Sequence, residues 1–230
     1  MSMRKLLPAA IAFVLYLLLI PALLFISAGT LRWPMAWVAT ILLLASAIGS
    51  RLILWRQSPD TLRERAQFAT AENTQPWDRA LVPISVFLGP IATVIVAGLD
   101  HRYGWSGGVP LAAQIVAVLA VAAGHGLGIW ALLANPFFSA VARIQRDRGH
   151  AVTTEGPYRL VRHPGYAGSV LASLAIPFML NTLWALLPAL ITVAAVAVRT
   201  ALEDRMLREE LEGYKEYAQQ TPYRLIPGLW

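Results

Sequence analysis

The chain has 230 residues, of which 57% are hydrophobic and only 14% charged, with a formal net charge of +6. Soluble domains carry about 25% charged residues, so this composition excludes an ordinary soluble protein and indicates one embedded in a membrane. The absence of Cys excludes disulfides, thiolate metal ligands and a cysteine nucleophile. With four His and no H-E-x-x-H motif, we predict no metal site, and we attribute the positive charge to membrane topology and not to nucleic acid.

Four apolar runs in the first 134 residues are long enough to form transmembrane helices. They cover residues 6–28, 35–55, 80–99 and 110–134. The first run follows Arg4 and Lys5, as the apolar core of a signal peptide would, but its length of about 23 residues and the second run close behind it favour a retained helix. Pro21 predicts a kink in that helix.

Two shorter apolar runs follow, residues 167–180 and 183–198, separated by Asn181 and Thr182. Each is marginal as an independent span, so we predict a tight helical hairpin that turns at Asn181. Residues 199–220 have the alternating charges of a solvated helix. We therefore predict an all-α integral membrane protein with about six apolar helical segments and a cytoplasmic C-terminal helix. Residues 1–134 and 135–230 would form one integrated domain.

The basic residues are distributed unevenly between the two sides of the predicted bundle. If the N-terminus is cytoplasmic, only Arg32 and Arg102 fall in outer segments, which leaves the other 17 of the 19 Lys and Arg inside. Basic residues concentrate on the cytoplasmic side of membrane proteins, so we predict that both termini are cytoplasmic. The short hydrophilic loops are typical of a bacterial inner-membrane protein.

This topology gathers three polar segments on the cytoplasmic face: residues 56–79, 135–166 and the C-terminal helix. The segment 56–79 is either a solvated loop, with a short helix from Ser58 to Phe68, or part of the floor of an active site. The fourth span contains a run of small residues around His125, which favours close helix packing. His125 itself is either a neutral, hydrogen-bonded packing residue or a functional one.

Residues 156–166, Gly-Pro-Tyr-Arg-Leu-Val-Arg-His-Pro-Gly-Tyr, form the most informative stretch. Two Pro and two Gly exclude a continuous helix, while the Arg, His and Tyr side chains supply hydrogen-bond donors and aromatic faces. The segment is either an ordinary basic loop or a loop that wraps a small polar ligand at the membrane boundary.

Arg199 and Glu203 lie four residues apart, on one face of a helix at the inner end of the last apolar run. A carboxylate there can hold a cation or a ribose hydroxyl, and an arginine can bind a carboxylate with two hydrogen bonds. Together with the loop, these residues indicate an enzyme that joins a water-soluble cosubstrate to a lipophilic substrate.

The order of these motifs resembles the isoprenylcysteine carboxyl methyltransferase family and the related phospholipid methyltransferases. The resemblance rests on Gly156-Pro157-Tyr158-x-x-Val161-Arg162-His163-Pro164-x-Tyr166, a hairpin, Arg199-x-x-x-Glu203-Asp204-x-x-Leu207, Tyr214-x-x-Tyr217 and a closing Arg-x-x-Pro. It covers roughly residues 141–230, and the first four spans share only their hydrophobicity with the family.

The resemblance implies a methyltransferase that uses S-adenosylmethionine and methylates a lipophilic or prenylated acceptor among membrane lipids, without a metal. Arg199 and Glu203 would then be catalytic, with Arg199 orienting the acceptor. The implied cofactor-binding residues are Gln145, Gly156, Tyr158, Arg162, His163, Pro164, Tyr166 and Glu203. The absence of a strand-turn-helix glycine fingerprint agrees with a cofactor pocket unlike the soluble Rossmann one.

Two alternatives remain open from the sequence. Membrane sterol and steroid reductases have a similar C-terminal arrangement and use NADPH. A non-enzymatic scaffold or transporter is the second alternative, although the chain shows no internal duplication of the kind many transporters carry. The acceptor is equally open, since a prenylcysteine carboxylate, a small carboxylate, a thiol or a lipid amine would each suit a membrane methyltransferase.

Overall fold

The computed structural model describes residues 3–66, 71 and 73–230, and the regular secondary structure of this part is entirely helical. The α-helices are α1 Met3–Ala28, α2 Pro34–Gln57, α3 Pro59–Ala66, α4 Asp78–Val82, α5 Gly89–Tyr103, α6 Leu111–Ala134, α7 Pro164–Met179, α8 Leu186–Glu210 and α9 Tyr214–Gln220. A π-helical segment, Pro83–Leu88, joins α4 to α5, and short 3₁₀ turns occupy Arg146–Arg148, Gly156–Arg159 and Leu183–Ala185.

Within the described residues, five helical stretches are long and apolar enough to cross a membrane. They are Ala10–Ala28, Pro34–Gln57, Asp78–Tyr103, Leu111–Ala134 and Leu183–Glu210, and the shorter apolar α7 makes a sixth segment. The prediction of an all-α membrane protein with about six apolar segments is confirmed. The most extensive packing is between α6 and α7 and between α1 and α5.

Proline has different effects in the first and third spans. Helix α1 continues through Pro21 without a break. In the third span, Pro83 opens the π-helical segment, and Pro90 lies at the start of α5. Proline lacks the N–H that an α-helix needs at this point, so the backbone hydrogen bonds shift to a wider turn.

The predicted hairpin is present and turns at the predicted residue. Asn181 adopts the left-handed conformation with φ 59°, and the N–H of Thr182 donates to the carbonyl of Pro177 at 2.9 Å. On the opposite side of the turn, the Trp184 N–H donates to the buried carboxylate of Asp100 at 3.2 Å. These bonds fix the N-terminal end of α8 to the C-terminal end of α5.

The predicted single C-terminal helix over residues 199–220 is wrong. Helix α8 runs without interruption from the membrane segment to Glu210, and α9 is a separate helix of seven residues. Gly213 separates them with φ 79°, a conformation that favours glycine and ends helices. Arg199 therefore lies in the middle of a long helix, whose last turns extend out of the apolar zone.

The small residues of α6 allow the close packing that the sequence predicts. A Cβ on Gly124 would lie 2.5 Å from the carbonyl oxygen of Gly168 on α7, so the two backbones are nearly in contact. The neighbouring His125 has a buried Nδ1 without a hydrogen-bond partner among the described residues. The expectation of a hydrogen-bonded packing histidine is not met at that atom.

The polar segment after α2 folds back over the end of the helical bundle that carries the loop after α6. Helix α3 starts at the predicted place, while Phe68, its predicted end, lies outside the described residues. The Oγ1 of Thr61 donates to the carbonyl of Pro136 at 3.0 Å, and Glu64 accepts two hydrogen bonds of 2.9 Å from Arg143. These contacts tie α3 to the loop after α6 and close one side of a large cavity.

Candidate active site

A cavity of about 850 Å³ reaches from the apolar helices to the polar loops. Its apolar end lies between α1 and α2, where Phe13, Leu17 and Leu43 are among the lining side chains. Its polar end is formed by α3, the loop after α6, the first turn of α7 and the inner half of α8. One cavity therefore has an apolar end and a polar end, as expected for an enzyme that joins a lipophilic substrate to a water-soluble one.

Arg199 enters this cavity from α8 in a fixed orientation. Its Nε and Nη2 donate to the two carboxylate oxygens of Asp78 at 2.6 and 3.1 Å, and Nη2 also donates to the Ala140 carbonyl at 2.9 Å. The Arg199 guanidinium carbon lies 5.2 Å from the centre of the Tyr166 ring. Two parallel hydrogen bonds to one carboxylate are geometrically specific, so Asp78 determines where this cation points.

Glu203 lies one turn further along α8 and is hydrogen-bonded to the hydroxyl of Tyr166. The Tyr166 ring is also stacked on the His163 ring, with centroids 5.8 Å apart and planes 14° from parallel. The four-residue spacing of Arg199 and Glu203 thus places a cation and a carboxylate on either side of one tyrosine, as the sequence predicts for one helix face.

Asp204, next in the chain, is fully buried and joins the motif loop to the C-terminal segment. Its carboxylate accepts from Arg162 Nε at 2.6 Å and Nη2 at 3.1 Å, and from Tyr214 Oη at 3.0 Å. Arg208 Nε and Arg224 Nε lie 3.0 Å from its second oxygen, and His163 Nε2 lies 3.4 Å from its first. Because the Asp204 carboxylate is paired with all of these groups, it stabilises the site and does not face a ligand.

The loop between α6 and α7 supplies the remaining wall. The Tyr158 hydroxyl accepts from Asn135 Nδ2 at 3.2 Å, and the Tyr158 carbonyl accepts from the Tyr217 hydroxyl at 2.7 Å. Burial raises the pKa of the Tyr158 hydroxyl above its usual range, and raises that of Tyr217 to about 12. Both phenols are therefore neutral hydrogen-bonding groups at physiological pH.

His150 lies on the same wall and is also neutral. Desolvation and the positive charges of Arg143 and Arg148 lower its pKa to about 4. Its Nδ1 accepts a hydrogen bond of 3.2 Å from the Gln145 N–H, and its ring packs against Phe137 with centroids 4.7 Å apart.

The structure brings six of the nine predicted site residues to the cavity wall: Tyr158, Arg162, His163, Tyr166, Arg199 and Glu203. Gln145, Gly156 and Pro164 are not among the described lining residues. Buried Gln145 donates to the Phe137 carbonyl at 2.6 Å, and Gly156, with φ 57°, packs against Trp130 and Ala134. Pro164 is the first residue of α7.

Sequence reasoning missed Asp78 and the structural role of Asp204. Asp204 stands beside Glu203 in the motif, but spacing alone does not say which of two adjacent carboxylates turns inward. Asp78 is separated from Arg199 by 121 residues, and its neighbours carry no motif. The sequence therefore carries no signal for Asp78; its burial, which only the structure shows, identifies it, because buried charges are paired.

Comparison with known proteins supports one of the open alternatives. Residues 107–213 match the family model of the phospholipid methyltransferases. The resemblance seen in the sequence is confirmed. This match includes α6, the motif loop, the hairpin and all of α8, so Tyr166, Arg199 and Glu203 all lie within it.

Curated relatives carry the second family name. The chain is 32% identical over 93 residues to protein-S-isoprenylcysteine O-methyltransferase B of Arabidopsis thaliana, a match that covers 40% of this chain and 47% of the relative. It is 35% identical over 86 residues to a probable protein-S-isoprenylcysteine O-methyltransferase of Oryza sativa subsp. indica, covering 36% of this chain and 45% of the relative. The chain thus spans about half the length of the curated relatives it matches.

Proposed function

We propose that this protein is a membrane methyltransferase that transfers the methyl group of S-adenosylmethionine to a carboxylate of a lipophilic acceptor at the cytoplasmic face. One observation carries the proposal. A single cavity has an apolar end between α1 and α2 and a polar end where Tyr166, Arg199 and Glu203 meet. The relatives named as isoprenylcysteine O-methyltransferases support an acceptor that combines a prenyl chain with an oxygen nucleophile.

The residues of the polar end fit S-adenosylmethionine. A volume of about 850 Å³ lies within the range of roughly 300–1,000 Å³ for small-molecule sites, with room for cofactor and acceptor head together. Neutral Tyr158 and Tyr217 offer aromatic faces and hydroxyls to a nucleoside, and the Glu203 carboxylate suits a cationic group. His163 and Tyr166 complete this set, while Gln145, Gly156 and Pro164 would support its frame.

The bound cofactor supplies an electrophilic methyl group on sulfur. Held beside Tyr166 and Glu203, the cofactor would give up this methyl group, with its bonding electrons left on sulfur, to a carboxylate oxygen oriented by Arg199, so that the products would be a methyl ester and S-adenosylhomocysteine. No proton moves, so the protein needs no general base. Its contribution is to align the oxygen and to exclude water from the charged reactants.

Arg199 is the residue suited to hold that acceptor carboxylate. The described hydrogen bonds of its guanidinium use Nε and Nη2, so Nη1 is available for an acceptor oxygen. Asp78 fixes the guanidinium plane before the acceptor arrives. A group positioned in advance loses little freedom when the substrate binds, which lowers the entropic part of the barrier.

The side of the membrane forms part of the proposal. All the polar walls of the cavity come from the segments that the Lys and Arg distribution assigns to the cytoplasm, with 17 of the 19 basic residues on that side. We infer that both termini are cytoplasmic and that the cofactor enters from the cytoplasm, while the acceptor's apolar part enters from the membrane.

Calorimetry of the detergent-purified protein with S-adenosylhomocysteine tests the cofactor. We expect saturable binding to the wild type and binding weaker by about 1–3 kcal/mol in Tyr166→Ala, which loses a partly buried ring and a hydrogen bond to Glu203. Tyr103 is an exposed tyrosine at the C-terminal end of α5, away from the cavity. The variant Tyr103→Ala is therefore the control and should bind like the wild type. Binding of NADPH in place of S-adenosylhomocysteine would contradict the proposal and favour a reductase.

A further inference from the structure

The cavity contains more positive charge than its own carboxylates neutralise. Among the described residues, six arginines line it: Arg51, Arg63, Arg65, Arg143, Arg162 and Arg199. Glu203 is the one carboxylate among the described lining residues. Placing a cation in a partly dehydrated cavity costs free energy unless a negative charge lies nearby. Each of these arginines is therefore expected to have a negatively charged partner.

Four of the six arginines have an acidic partner. Arg199 binds Asp78, Arg162 binds Asp204, Arg143 binds Glu64 and Asp147, and Arg63 binds Asp60 at the exposed end of α3. Arg51 and Arg65 form no ion pair with any described residue. Among the described residues, they are therefore the lining arginines that a negatively charged group of a ligand can pair with.

Both remaining arginines lie over aromatic rings. The guanidinium carbon of Arg51, on α2, lies 3.4 Å from the centre of the Phe13 ring on α1, and its Nη1 donates to the Ala47 carbonyl at 3.1 Å. The guanidinium carbon of Arg65, on α3, lies 5.3 Å from the centre of the Phe138 ring. Stacking on a ring face orients a guanidinium and leaves its edge free to donate hydrogen bonds.

The positions of these two arginines mark the boundary between the cavity's apolar and polar ends. Phe13, beneath Arg51, belongs to the apolar end, whereas Arg65 lies on the polar side and interacts electrostatically with Arg199. Burial and the Arg199 charge lower the pKa of Arg65 to about 10, so it remains a cation at physiological pH. A negative group between Arg51 and Arg65 would relieve the repulsion among these cations.

We propose that Arg51 and Arg65 form the specificity site for the acceptor, by binding its carboxylate as its hydrocarbon chain extends between α1 and α2. The site rests on the proposed function, in which that carboxylate receives the methyl group beside Arg199. Both residues lie outside residues 107–213, so the proposal assigns acceptor recognition to the N-terminal helices. The arginine edges select an oxyanion over a neutral or cationic head group such as an amide or an amine.

Binding of matched ligands tests the site without requiring turnover. The ligands are an S-prenylated cysteine with a free carboxylate, its carboxamide and the corresponding prenyl monophosphate, each titrated into detergent-purified protein saturated with S-adenosylhomocysteine. We expect the wild type to bind the carboxylate at least about tenfold more tightly than the carboxamide, the difference of one charge-assisted pair.

Arg51→Gln and Arg65→Gln should each remove most of this preference and leave carboxamide binding unchanged, because the chain-binding end is intact. Arg56→Gln, an exposed residue at the end of α2 that does not line the cavity, is the matched control and should keep the full preference. Arg65→Lys keeps the positive charge but loses the planar guanidinium that can donate two parallel hydrogen bonds. It should retain part of the preference for the carboxylate. Unchanged S-adenosylhomocysteine binding in every variant shows that folding and the cofactor site are preserved.

Equal binding of carboxylate and carboxamide by the wild type would overturn the proposal, as would a preference that survives both glutamine substitutions. A preference for the monophosphate that Arg65→Gln abolishes would overturn the carboxylate assignment. If the wild type does not bind S-adenosylhomocysteine, the proposed function itself is contradicted. Failure of the specificity site and failure of the proposed function are therefore distinguishable.

Discussion

Arg162 and Asp204 form a two-pronged ion pair, with 2.6 Å from Nε to Oδ1 and 3.1 Å from Nη2 to Oδ2, in which both side chains are almost completely buried. The pair joins the motif loop to the inner half of α8. Arg162 further donates to the Thr221 carbonyl at 2.8 Å, which brings in the end of α9. The arginine that the sequence assigns to cofactor binding therefore also holds the fold of the site together.

Replacing Asp204 with Asn should destabilise the protein strongly. The change leaves buried Arg162 without its counter-charge, and breaking a buried pair in this way costs about 3–5 kcal/mol. Thermal unfolding of the detergent-purified protein measures the loss. Glu209→Gln is the control, since Glu209 pairs with Arg205 at the surface and should cost less than about 1 kcal/mol. Equal, small effects of both changes would show that the buried pair contributes nothing.

Arg199→Lys should lower methyl transfer by at least about tenfold, or roughly 1.4 kcal/mol of barrier. Lysine keeps the charge but cannot reproduce the two bonds to Asp78 and still present a free edge to the acceptor. Asp78→Asn should lower the rate similarly by releasing the same guanidinium. S-adenosylhomocysteine affinity should stay near the wild-type value in both. Full activity of Arg199→Lys with any acceptor would contradict a role of Arg199 in orienting the acceptor.

Gly124→Ala should separate α6 from α7 and destabilise the protein by about 1–3 kcal/mol, the usual range for overpacking. The added Cβ would lie 2.5 Å from a backbone carbonyl, which cannot move like a flexible side chain. Gly126→Ala, two residues further along the same helix, meets no atom within 4 Å and is the matched control. Thermal unfolding of the two variants should therefore differ, and identical melting temperatures would contradict the close contact.

The lowered pKa of His150 predicts a dependence of stability on pH. Because the folded value of about 4 lies below the ordinary value of 6.5, the unfolded chain binds more protons between these pH values. The stability contributed by neutral His150 is complete above pH 6.5 and is lost as the pH falls towards 4. We expect His150→Asn to show a smaller loss of melting temperature than the wild type over this interval. Parallel curves for the two proteins would be inconsistent with a buried, neutral histidine.

The predicted topology can be measured with sidedness reporters. Fusions after Trp105, between α5 and α6, and after Trp230 should report opposite sides of the membrane, because the basic residues concentrate on one side. Reporter activity on the same side for both fusions would require a different number of crossings.

The sequence by itself determined the class of the protein and which residue types its candidate site offers. Long apolar runs can satisfy their backbone polar groups in a membrane only as helices, so composition and length predicted the bundle. The hairpin turn at Asn181 and the shared face of Arg199 and Glu203 followed from local conformation and from helical spacing. The resemblance to the methyltransferases depended on the order of short motifs, which is also a property of the sequence.

Only the tertiary structure decided which of the polar groups face one another. Asp78 meets Arg199 across 121 residues, and Arg51 comes close to Phe13 and Arg65 only because α1, α2 and α3 pack together. Local propensity carries no information about such contacts, because they depend on the packing of helices that are distant in the chain. The same packing turned Asp204 inward and Glu203 towards the cavity, so that one of two adjacent carboxylates is buried among arginines and the other lines the cavity.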